Sequence, residues 1–208
     1  MIKIADEKLM LQYANDDVEA FTTLYRRHKD SLYRYFLRQV STRELAEELF
    51  QEVWNKLIKA RSSYQITSKF TTWLYRIAHN ELVDFYRRNA SENKVIAFRV
   101  EDGNENYETN NHKINEHSEV NEYSATEHVS AFDEHYLKQQ VKQLKLCLTL
   151  LPRGQKEAFL LKHEAGFTLK EIAELVGESS EGIKSRLRYG LSKLKHCVMQ
   201  KMRGADEG

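Results

Sequence analysis

The sequence predicts an all-α protein made of two small helical domains joined by an acidic flexible linker. Apolar residues recur at intervals of three and four at both ends of the chain, which is the period of an amphipathic helix. The chain has one proline, and its first glycine is Gly103, so the N-terminal half lacks glycine for tight hairpins. Charge divides the chain as well: residues 1–91 carry +3, residues 92–135 carry −8 and residues 136–208 carry +6.

Three helices are predicted in the N-terminal part. Asp17 can cap a helix that runs to about Gln39, and Thr42 can cap the next one, which ends near Arg61. The polar residues 61–68 interrupt the apolar period and predict a loop. A third long helix follows from about Phe70 to Ala90.

The middle of the chain, residues 92–135, predicts a linker. It is rich in Asn and Glu and has no helical or strand period, so we expect disorder in the free protein. Its histidines are spaced by five, eleven and seven residues, which matches no common metal-ligand pattern, and no metal or cofactor is expected. They are His112, His117, His128 and His135.

The C-terminal part is also predicted to be helical. One amphipathic helix runs from Tyr136 to Leu151, with Val141 on its apolar stripe, and Pro152 ends it. A short helix follows over residues 155–164.

Residues 168–194 carry the spacing of a helix-turn-helix. Thr168 and Glu171 form a capping box, in which each side chain bonds the other residue's backbone. Ala173 allows close helix approach, Gly177 allows a tight turn, and Ile183 lies across the first helix. This combination is typical of helix-turn-helix packing.

The second helix of this motif, which Ser179 or Ser180 can cap, predicts DNA binding. Its expected inner face carries aliphatic residues, Leu191 among them, and its outer face is cationic. The alternative is an ordinary solvated basic helix, which the preceding motif disfavours. The outward residues are Lys184, Ser185, Arg188, Tyr189 and Ser192, with Arg186, Lys193 and Lys195 beside the stripe.

The helix from Phe70 combines aromatic and cationic side chains, which can stack on unpaired bases and hold phosphates. The alternative is that the aromatic residues are core, and this is favoured for Trp73 and Phe85. An outward position is predicted for Tyr75, Arg76, His79 and Tyr86, and a structural pairing with Arg87 or Arg88 for Asp84.

These motifs resemble bacterial sigma factors. The segments AEELFQEVW (46–54) and FTTWLYRIAHN (70–80) are similar to sigma region 2, and residues 151–161 and 167–194 are similar to region 4. Both regions, in this order in a short chain, resemble the extracytoplasmic-function (ECF) group.

The resemblance implies three segments and their partners. Residues 1–91 would be a region 2 helical bundle that docks on core RNA polymerase and recognises and opens the −10 element. Residues 92–135 would be the linker, and residues 136–208 a region 4 domain that reads the −35 element. The beta and beta-prime subunits, promoter DNA and an anti-sigma factor are the expected partners, with no small-molecule substrate.

The resemblance also implies site residues. Polymerase docking falls on Leu49, Gln51, Glu52 and Trp54. The −10 contacts fall on Tyr64, Lys69, Thr72, Tyr75, Arg76, His79, Asn80, Arg87 and Arg88. The −35 contacts fall on Thr168, Ser180, Glu181, Lys184, Ser185, Arg186 and Arg188. Relatives often have Gly-Thr where this chain has Glu181-Gly182, so the −35 sequence is not carried over.

Other classes of protein fit less well. No apolar run approaches the roughly 18 residues of a membrane span, and no catalytic constellation is evident, so neither membrane insertion nor an enzyme is expected. Two cysteines, Cys147 and Cys197, are too few for a disulfide scaffold or a Cys-rich zinc site, and we expect a reducing cytoplasm. The remaining alternative is a helix-turn-helix regulator that acts without polymerase docking.

Overall fold

The structure is a computed structural model that describes the backbone of residues 4–92 and 131–203 and the side chains of residues 4–89 and 137–203. Its α-helices in these ranges are α1 (Asp6–Ala14), α2 (Val18–Gln39), α3 (Arg43–Lys59), α4 (Phe70–Glu92), α5 (Ala131–Thr149), α6 (Arg153–His163), α7 (Leu169–Val176) and α8 (Ser180–Arg203). A short 3₁₀ turn over Arg61–Ser63 lies in the predicted loop. We call α1–α4 the first helix group and α5–α8 the second helix group.

The predicted caps of the first helix group are present. The Asp17 carboxylate accepts hydrogen bonds from the backbone N–H groups of Glu19 and Ala20, at 3.0 and 3.2 Å. The Thr42 hydroxyl accepts from the N–H of Leu45 at 3.3 Å. These bonds satisfy donors that a helix start leaves unpaired, which is why α2 and α3 begin where the sequence predicts.

Sequence analysis missed α1. This helix has no side-chain cap and only nine residues, so its local signal is weak. Tertiary contacts stabilise it instead: Asp6 pairs with Arg27 and His28 on α2, and the Glu7 carboxylate accepts from the backbone N–H of Phe70 at 2.7 Å. The first helix of the chain therefore caps α4.

The core of the first helix group contains both aliphatic and aromatic side chains, and it is continuous with buried residues of α6–α8. Helices α1 with α2, α2 with α3, and α3 with α4 pack in sequence. Its fully buried large side chains are Met10, Leu24, Leu32, Phe36, Leu49, Leu57, Phe70, Leu74 and Leu82.

The second helix group has a smaller core with a cross-link at one corner. Where α5 meets α8, a cluster of Cys147, Leu148, Leu151 and Leu194 is buried. Cys147 and Cys197 form a disulfide there, which the sequence analysis did not predict. The two cysteines are 50 residues apart, and helical periodicity cannot predict which distant helices meet.

Three further expectations need correction. Helix α5 begins at Ala131, five residues before the predicted start, so the end of the predicted linker is helical. Val141 is 50% exposed rather than on a buried stripe. Leu191 is 44% exposed, and Gly190 is buried in its place because α8 approaches Gln155 of α6 closely at that point. Residues 93–130, which hold most of the predicted linker, lie outside the described residues.

The two helix groups pack against each other through α2 and α4 on one side and α6 and α7 on the other. Tyr35 and Tyr75 from the first group contact Glu157 and Phe167 from the second. Among the helices that the structure describes, none combines the length and apolar content that crossing a lipid bilayer requires.

Candidate nucleic-acid interfaces

The helix-turn-helix is built as its spacing predicts. The Thr168 hydroxyl accepts from the N–H of Glu171 at 3.3 Å, and the Glu171 carboxylate accepts from the N–H of Thr168 at 2.9 Å. The Thr168 backbone N–H, then the Lys69 ammonium, lower the pKa of Glu171 to about 2. This reciprocal cap gives α7 a defined first turn.

The turn between α7 and α8 requires glycine. Gly177 has φ of 74°, a left-handed conformation that L side chains avoid. Ser179, rather than Ser180, then caps α8, because its hydroxyl accepts from the N–H of Gly182 at 3.0 Å. Ala173 and Ile183 are buried where the two helices cross. The start of α8 therefore points away from the core.

The outer face of α8 is open to solvent. Lys184 and Arg188 lie one turn apart on it, and both are exposed. The Arg188 guanidinium lies 4.9 Å from the centre of the Tyr189 ring, and Lys184 pairs loosely with Glu181 at 3.6 Å. Thr168, Ser180 and Glu181 are also exposed, and Ser185 is half-buried.

Arg186 differs from the other predicted −35 residues. Its guanidinium forms an ion pair with Glu178 and lies against Gly154, so it links α8 to the turn and to α6. The structure therefore shows Arg186 engaged within the second helix group, on the side of α8 away from Arg188.

The predicted −10 residues divide into exposed and covered sets. Those exposed are Lys69, Arg76, Asn80, Arg87 and Arg88. Tyr64, Thr72 and Tyr75 are buried and His79 nearly so, which corrects the expected outward position of Tyr75 and His79. Tyr64 packs on Trp73, and burial raises its pKa to about 12.

Tyr75 is covered by the second helix group. Its ring lies between Tyr35 of α2 and Phe167, with centroids at 5.5 and 5.2 Å. Burial raises the pKa of the Tyr75 hydroxyl. Helical periodicity places Tyr75 off the core stripe of α4, but it cannot report that another helix group lies on top of it.

A buried carboxylate joins the two helix groups. Glu157 accepts from the Tyr35 hydroxyl at 2.8 Å and bonds His79 Nδ1 at 2.7 Å. Burial alone would raise the pKa of Glu157, but His79, Tyr35 and Arg153 together lower it. The carboxylate is therefore charged in the interface, where unpaired it would carry a large desolvation cost.

Four further contacts surround this carboxylate. Lys69 pairs with Glu171 at 2.9 Å, and Arg38 with Glu164 at 2.5 Å. The Arg153 guanidinium lies 3.7 Å from the centre of the Tyr86 ring. The Lys156 ammonium donates to the backbone carbonyl of Gln39 at 3.3 Å, and burial followed by repulsion from Arg153 lowers the pKa of Lys156 to about 8.

An open cleft of about 320 Å³ lies between α3 and α4 beside the covered area. It is lined by Lys56, Ala60, Trp73, Ile77, Asn80 and Asp84. Sequence analysis assigned only Asn80 to nucleic-acid contact. The missed residues come from α4 and from the end of α3, which ten residues separate from α4, and no single-helix pattern connects them. The cleft presents an indole wall and an amide, while its ammonium and its carboxylate form ion pairs, Lys56 with Glu81 and Asp84 with Arg87.

Only some of the predicted polymerase-docking residues on α3 are accessible to a partner. Gln51 is exposed and Glu52 half-buried. Leu49 and Trp54 are buried in the first helix group, with the Trp54 ring 4.9 Å from the Tyr25 ring, so neither offers its side chain to a partner. Both were assigned from the motif, whose apolar members turn out to hold the helix in place.

Comparisons with known families place both regions. Residues 24–92 match the family described as Sigma-70 region 2, and residues 142–194 match Sigma-70, region 4. Together these ranges cover more than half of the chain.

Curated relatives extend the likeness over most of the chain. The RNA polymerase sigma factor SigZ of Bacillus subtilis is 25% identical over 84% of this chain and 85% of its own length. The ECF RNA polymerase sigma factor SigK of Mycobacterium sp. (strain KMS) is 25% identical over 91% and 89%. ECF sigma factor SigW of Bacillus subtilis is 33% identical over 39% of this chain and 44% of its own.

Two solved structures share the fold. CnrH, in complex with the cytosolic domain of CnrY, has a TM-score of 0.63 at 19% identity, over 95% of this chain and 99% of CnrH. The sigma factor RpoE of Bartonella quintana, in complex with the anti-sigma factor NepR, has a TM-score of 0.60 at 19% identity, over 86% and 96%.

Proposed function

The chain belongs to the ECF group of sigma factors, which bind core RNA polymerase and direct it to promoters, and from that premise we propose which of its surfaces does which part of the work. Region 4 reads duplex DNA through α8. Region 2 holds an opened strand through α4 and the cleft beside it, and docks on polymerase through α3.

One observation supports this division: the described residues carry two exposed surfaces of different chemistry, one on α8 and one on α4. The α8 surface is cationic and belongs to a helix-turn-helix, which suits a major groove. The α4 face is concave and combines aromatic, amide and charged groups, which suits a base removed from its stack. A protein that both locates and opens a promoter requires both.

On α8 we assign the −35 contacts to the side chains exposed on its outer face. Lys184 and Arg188 are placed to reach phosphates or base edges, and Glu181 can accept from a cytosine amino group. Thr168, at the start of α7, is exposed and can contact the backbone. Arg186 acts by holding α8 against Glu178 and Gly154.

On α4 we assign a flipped base of the −10 element to the 320 Å³ cleft. Trp73 and Ile77 form an apolar wall, and the Asn80 amide offers a donor and an acceptor to a base edge. Lys56 and Asp84 lie beside them in ion pairs with Glu81 and Arg87. Arg76, Arg87 and Arg88, exposed on the same helix, can hold the phosphates of that strand. The cleft thus brings together residues of α3 and α4 that lie far apart in the sequence.

Polymerase docking is assigned to the polar face of α3. Gln51 and Glu52 face outward, whereas Leu49 and Trp54 anchor the helix to the core and fix the direction of that face. A rigid, partly acidic helix face suits a helical partner such as the beta-prime coiled coil named by the family resemblance.

We further propose control by an anti-sigma factor and action in the cytoplasm, where core polymerase works. RpoE, which shares this fold, was solved with the anti-sigma factor NepR. In our proposal the protein is an initiation factor without catalytic activity of its own. The alternative, a helix-turn-helix regulator that does not bind polymerase, does not account for the region 2 match over residues 24–92.

The test is in vitro transcription from a genomic fragment library with core polymerase, with and without this protein. Transcripts whose start sites require the protein support the proposal. Glu52→Lys reverses a charge on the docking face and should reduce transcription and co-purification with core polymerase, while circular dichroism stays unchanged. Gln12→Ala, an exposed change on α1, is the control. Start sites that need no added protein would contradict the proposal.

A further inference from the structure

A buried carboxylate of α4, Glu81, lies beside the cleft between α3 and α4. Its side chain is only 3% exposed, and it follows Asn80, which lines the cleft. One of its oxygens pairs with the ammonium of Lys56, a second cleft residue in the last turn of α3. The other oxygen accepts from the Arg88 guanidinium at 3.5 Å. One buried anion thus holds two cations at the edge of the cleft.

The stability of the fold does not require a carboxylate at position 81. Taking an ionised carboxylate out of water has a desolvation cost, and a well-packed apolar side chain is often at least as stabilising as a buried ion pair. The buried positions on either side, Ala78 and Leu82, are apolar. Lys56 and Arg88 are 44% and 63% exposed, so water screens the attraction on the cationic side. The main effect of Glu81 is therefore on the two cations that it holds.

Pairing with Glu81 changes how strongly these cations attract a phosphate. An ammonium in contact with a carboxylate exerts a weak field on a third group, because the two opposite charges largely cancel at a distance. A second pair, Asp84 with Arg87 at 2.8 Å, has the same effect on the next turn of α4. The Asn80 amide and the Trp73 ring carry no charge, and they suit a base rather than a phosphate.

We propose that Glu81 is a specificity-determining residue of the −10 contact: it neutralises Lys56 at the cleft and weakens the attraction of Arg88 for phosphate, so that binding there depends on the base. Phosphates are the same at every position of a strand and carry no sequence information, so an unpaired ammonium would hold every strand alike. The proposal rests on the assignment of the opened −10 strand to α4.

Lys56 also has a part in this arrangement. A buried carboxylate that loses its partner retains the desolvation cost without the compensating attraction. Removing Lys56 alone would therefore disturb the fold as well as the cleft. A variant that changes Glu81, and one that changes both residues together, separate the effect of charge on DNA from the effect of a broken pair on stability.

The test compares three variants of the full-length chain in complex with core polymerase. Glu81→Gln removes the carboxylate charge at nearly constant shape. Lys56→Gln/Glu81→Gln removes both charges, so its net charge equals that of the native chain. Asp30→Asn, a loss of one carboxylate at an exposed position of α2, is the matched control.

Each complex is titrated at several salt concentrations with two fluorescent single strands. One is a 20-nucleotide pool of random sequence. The other carries the −10 element of a promoter found in the transcription of the genomic library. The ratio of the two affinities measures discrimination, and the contribution of core polymerase is common to all complexes. Circular dichroism of each free variant reports folding.

We expect Glu81→Gln to bind the random pool roughly fivefold more tightly than Asp30→Asn, with a salt slope steeper by about 0.7, the increment for one more phosphate contact on a single strand. The −10 strand should gain less, so discrimination falls. Lys56→Gln/Glu81→Gln should keep the native discrimination, because the ammonium is removed together with its partner.

Three results would overturn the proposal. Glu81→Gln could bind both strands with the affinity of the control or more weakly, or it could fail to fold, and either result would make Glu81 a structural partner of α3 only. The double variant could lose as much discrimination as Glu81→Gln, and the charge of Lys56 would then not be the cause.

Failure of the underlying assignment gives a different result. Promoter opening by the polymerase complex should depend on Arg76 and Asn80 whether or not Glu81 affects discrimination. If opening needs these two residues and Glu81→Gln discriminates like the control, the role of Glu81 is wrong and the assignment of α4 stands. If opening is indifferent to Arg76 and Asn80, the assignment of α4 to the strand is itself wrong.

Discussion

The two helix groups differ in how far they expose the faces that we assign to nucleic acid. The second group leaves the outer face of α8 open, with Lys184 and Arg188 exposed, but rests on a small core with a disulfide at one corner. The first group has the larger core, yet part of its α4 face lies beneath the other group. The α8 face is therefore open, whereas the α4 face is open only in part.

Our proposal gives these two faces different roles, duplex recognition on α8 and strand contact on α4. The predictions below test each side of this comparison, from the largest expected effect to the smallest.

The largest effect concerns the disulfide, which only the second group has among the described residues. Reduction should destabilise α5–α8 by up to about 4 kcal/mol, because the bond closes a 50-residue loop in the unfolded chain. Chemical denaturation with and without dithiothreitol measures this. A Cys147→Ala/Cys197→Ala variant should be insensitive to reductant, and identical curves for the oxidised and reduced protein would count against the cross-link.

Next is the open face of α8. Arg188→Ala should weaken binding to a promoter duplex by roughly 1–3 kcal/mol and relax one base position, if the guanidinium reads a base. If it holds only phosphate, the loss is uniform across sequences and the salt dependence falls. The measurement is titration of duplexes with single-base changes by the polymerase complex. Lys193→Ala, an exposed cation further along α8, is the control, and a loss no greater than that of the control would contradict the assignment.

The α4 face should behave differently. Asn80→Ala and Arg76→Ala should spare duplex binding and impair opening by roughly 1–3 kcal/mol, because the unpaired base and its strand lose their contacts. Permanganate reactivity of promoter thymines in the polymerase complex reports opening, with Gln200→Ala, an exposed change near the end of α8, as the matched surface change. If both variants open the promoter normally, and Arg188→Ala loses opening at unchanged duplex affinity, the assignment of duplex to α8 and of the opened strand to α4 is wrong.

The smallest effect is a pH dependence of the contact between the groups. Burial lowers the pKa of Lys156 to about 8, against roughly 10.4 when exposed. Between these values the separated state binds more protons, so the closed arrangement gains stability as pH rises, by at most about 1.4 kcal/mol per unit. Scattering at pH 7.5 and 9.5 should show a smaller radius at high pH for the native chain. The same shift in Lys156→Met would refute the role of this amine.

Much of each helix could be predicted, because caps and periodicity are local. Asp17, Thr42, the Thr168 capping box and Gly177 act within a few residues of themselves, and each does what its type and spacing imply. The helix-turn-helix was predictable for the same reason, since its two helices are adjacent in the chain.

What failed depends on contacts between distant segments. Helix α1 is stabilised by α2 and α4, Tyr75 is buried by Phe167, and Cys147 meets Cys197 across 50 residues. Gly190 is buried and Leu191 is exposed, the reverse of the prediction, because α6 packs closely against α8 at Gly190. The cleft between α3 and α4 is likewise a product of packing. Helical periodicity predicts which face of a helix is apolar, but not which distant segment packs against the helix.

The hydrogen bond from the Phe70 backbone to Glu7 couples the stability of α1 to the start of α4. Residue 7 helps to set the register at which α4 begins, although 63 positions separate the two. If α1 frays, the first turn of α4 loses an acceptor and can unwind, carrying Lys69 and the neighbouring loop with it. A substitution near residue 7 can therefore change the start of α4, the helix that our proposal assigns to the −10 strand, while every assigned contact residue stays the same.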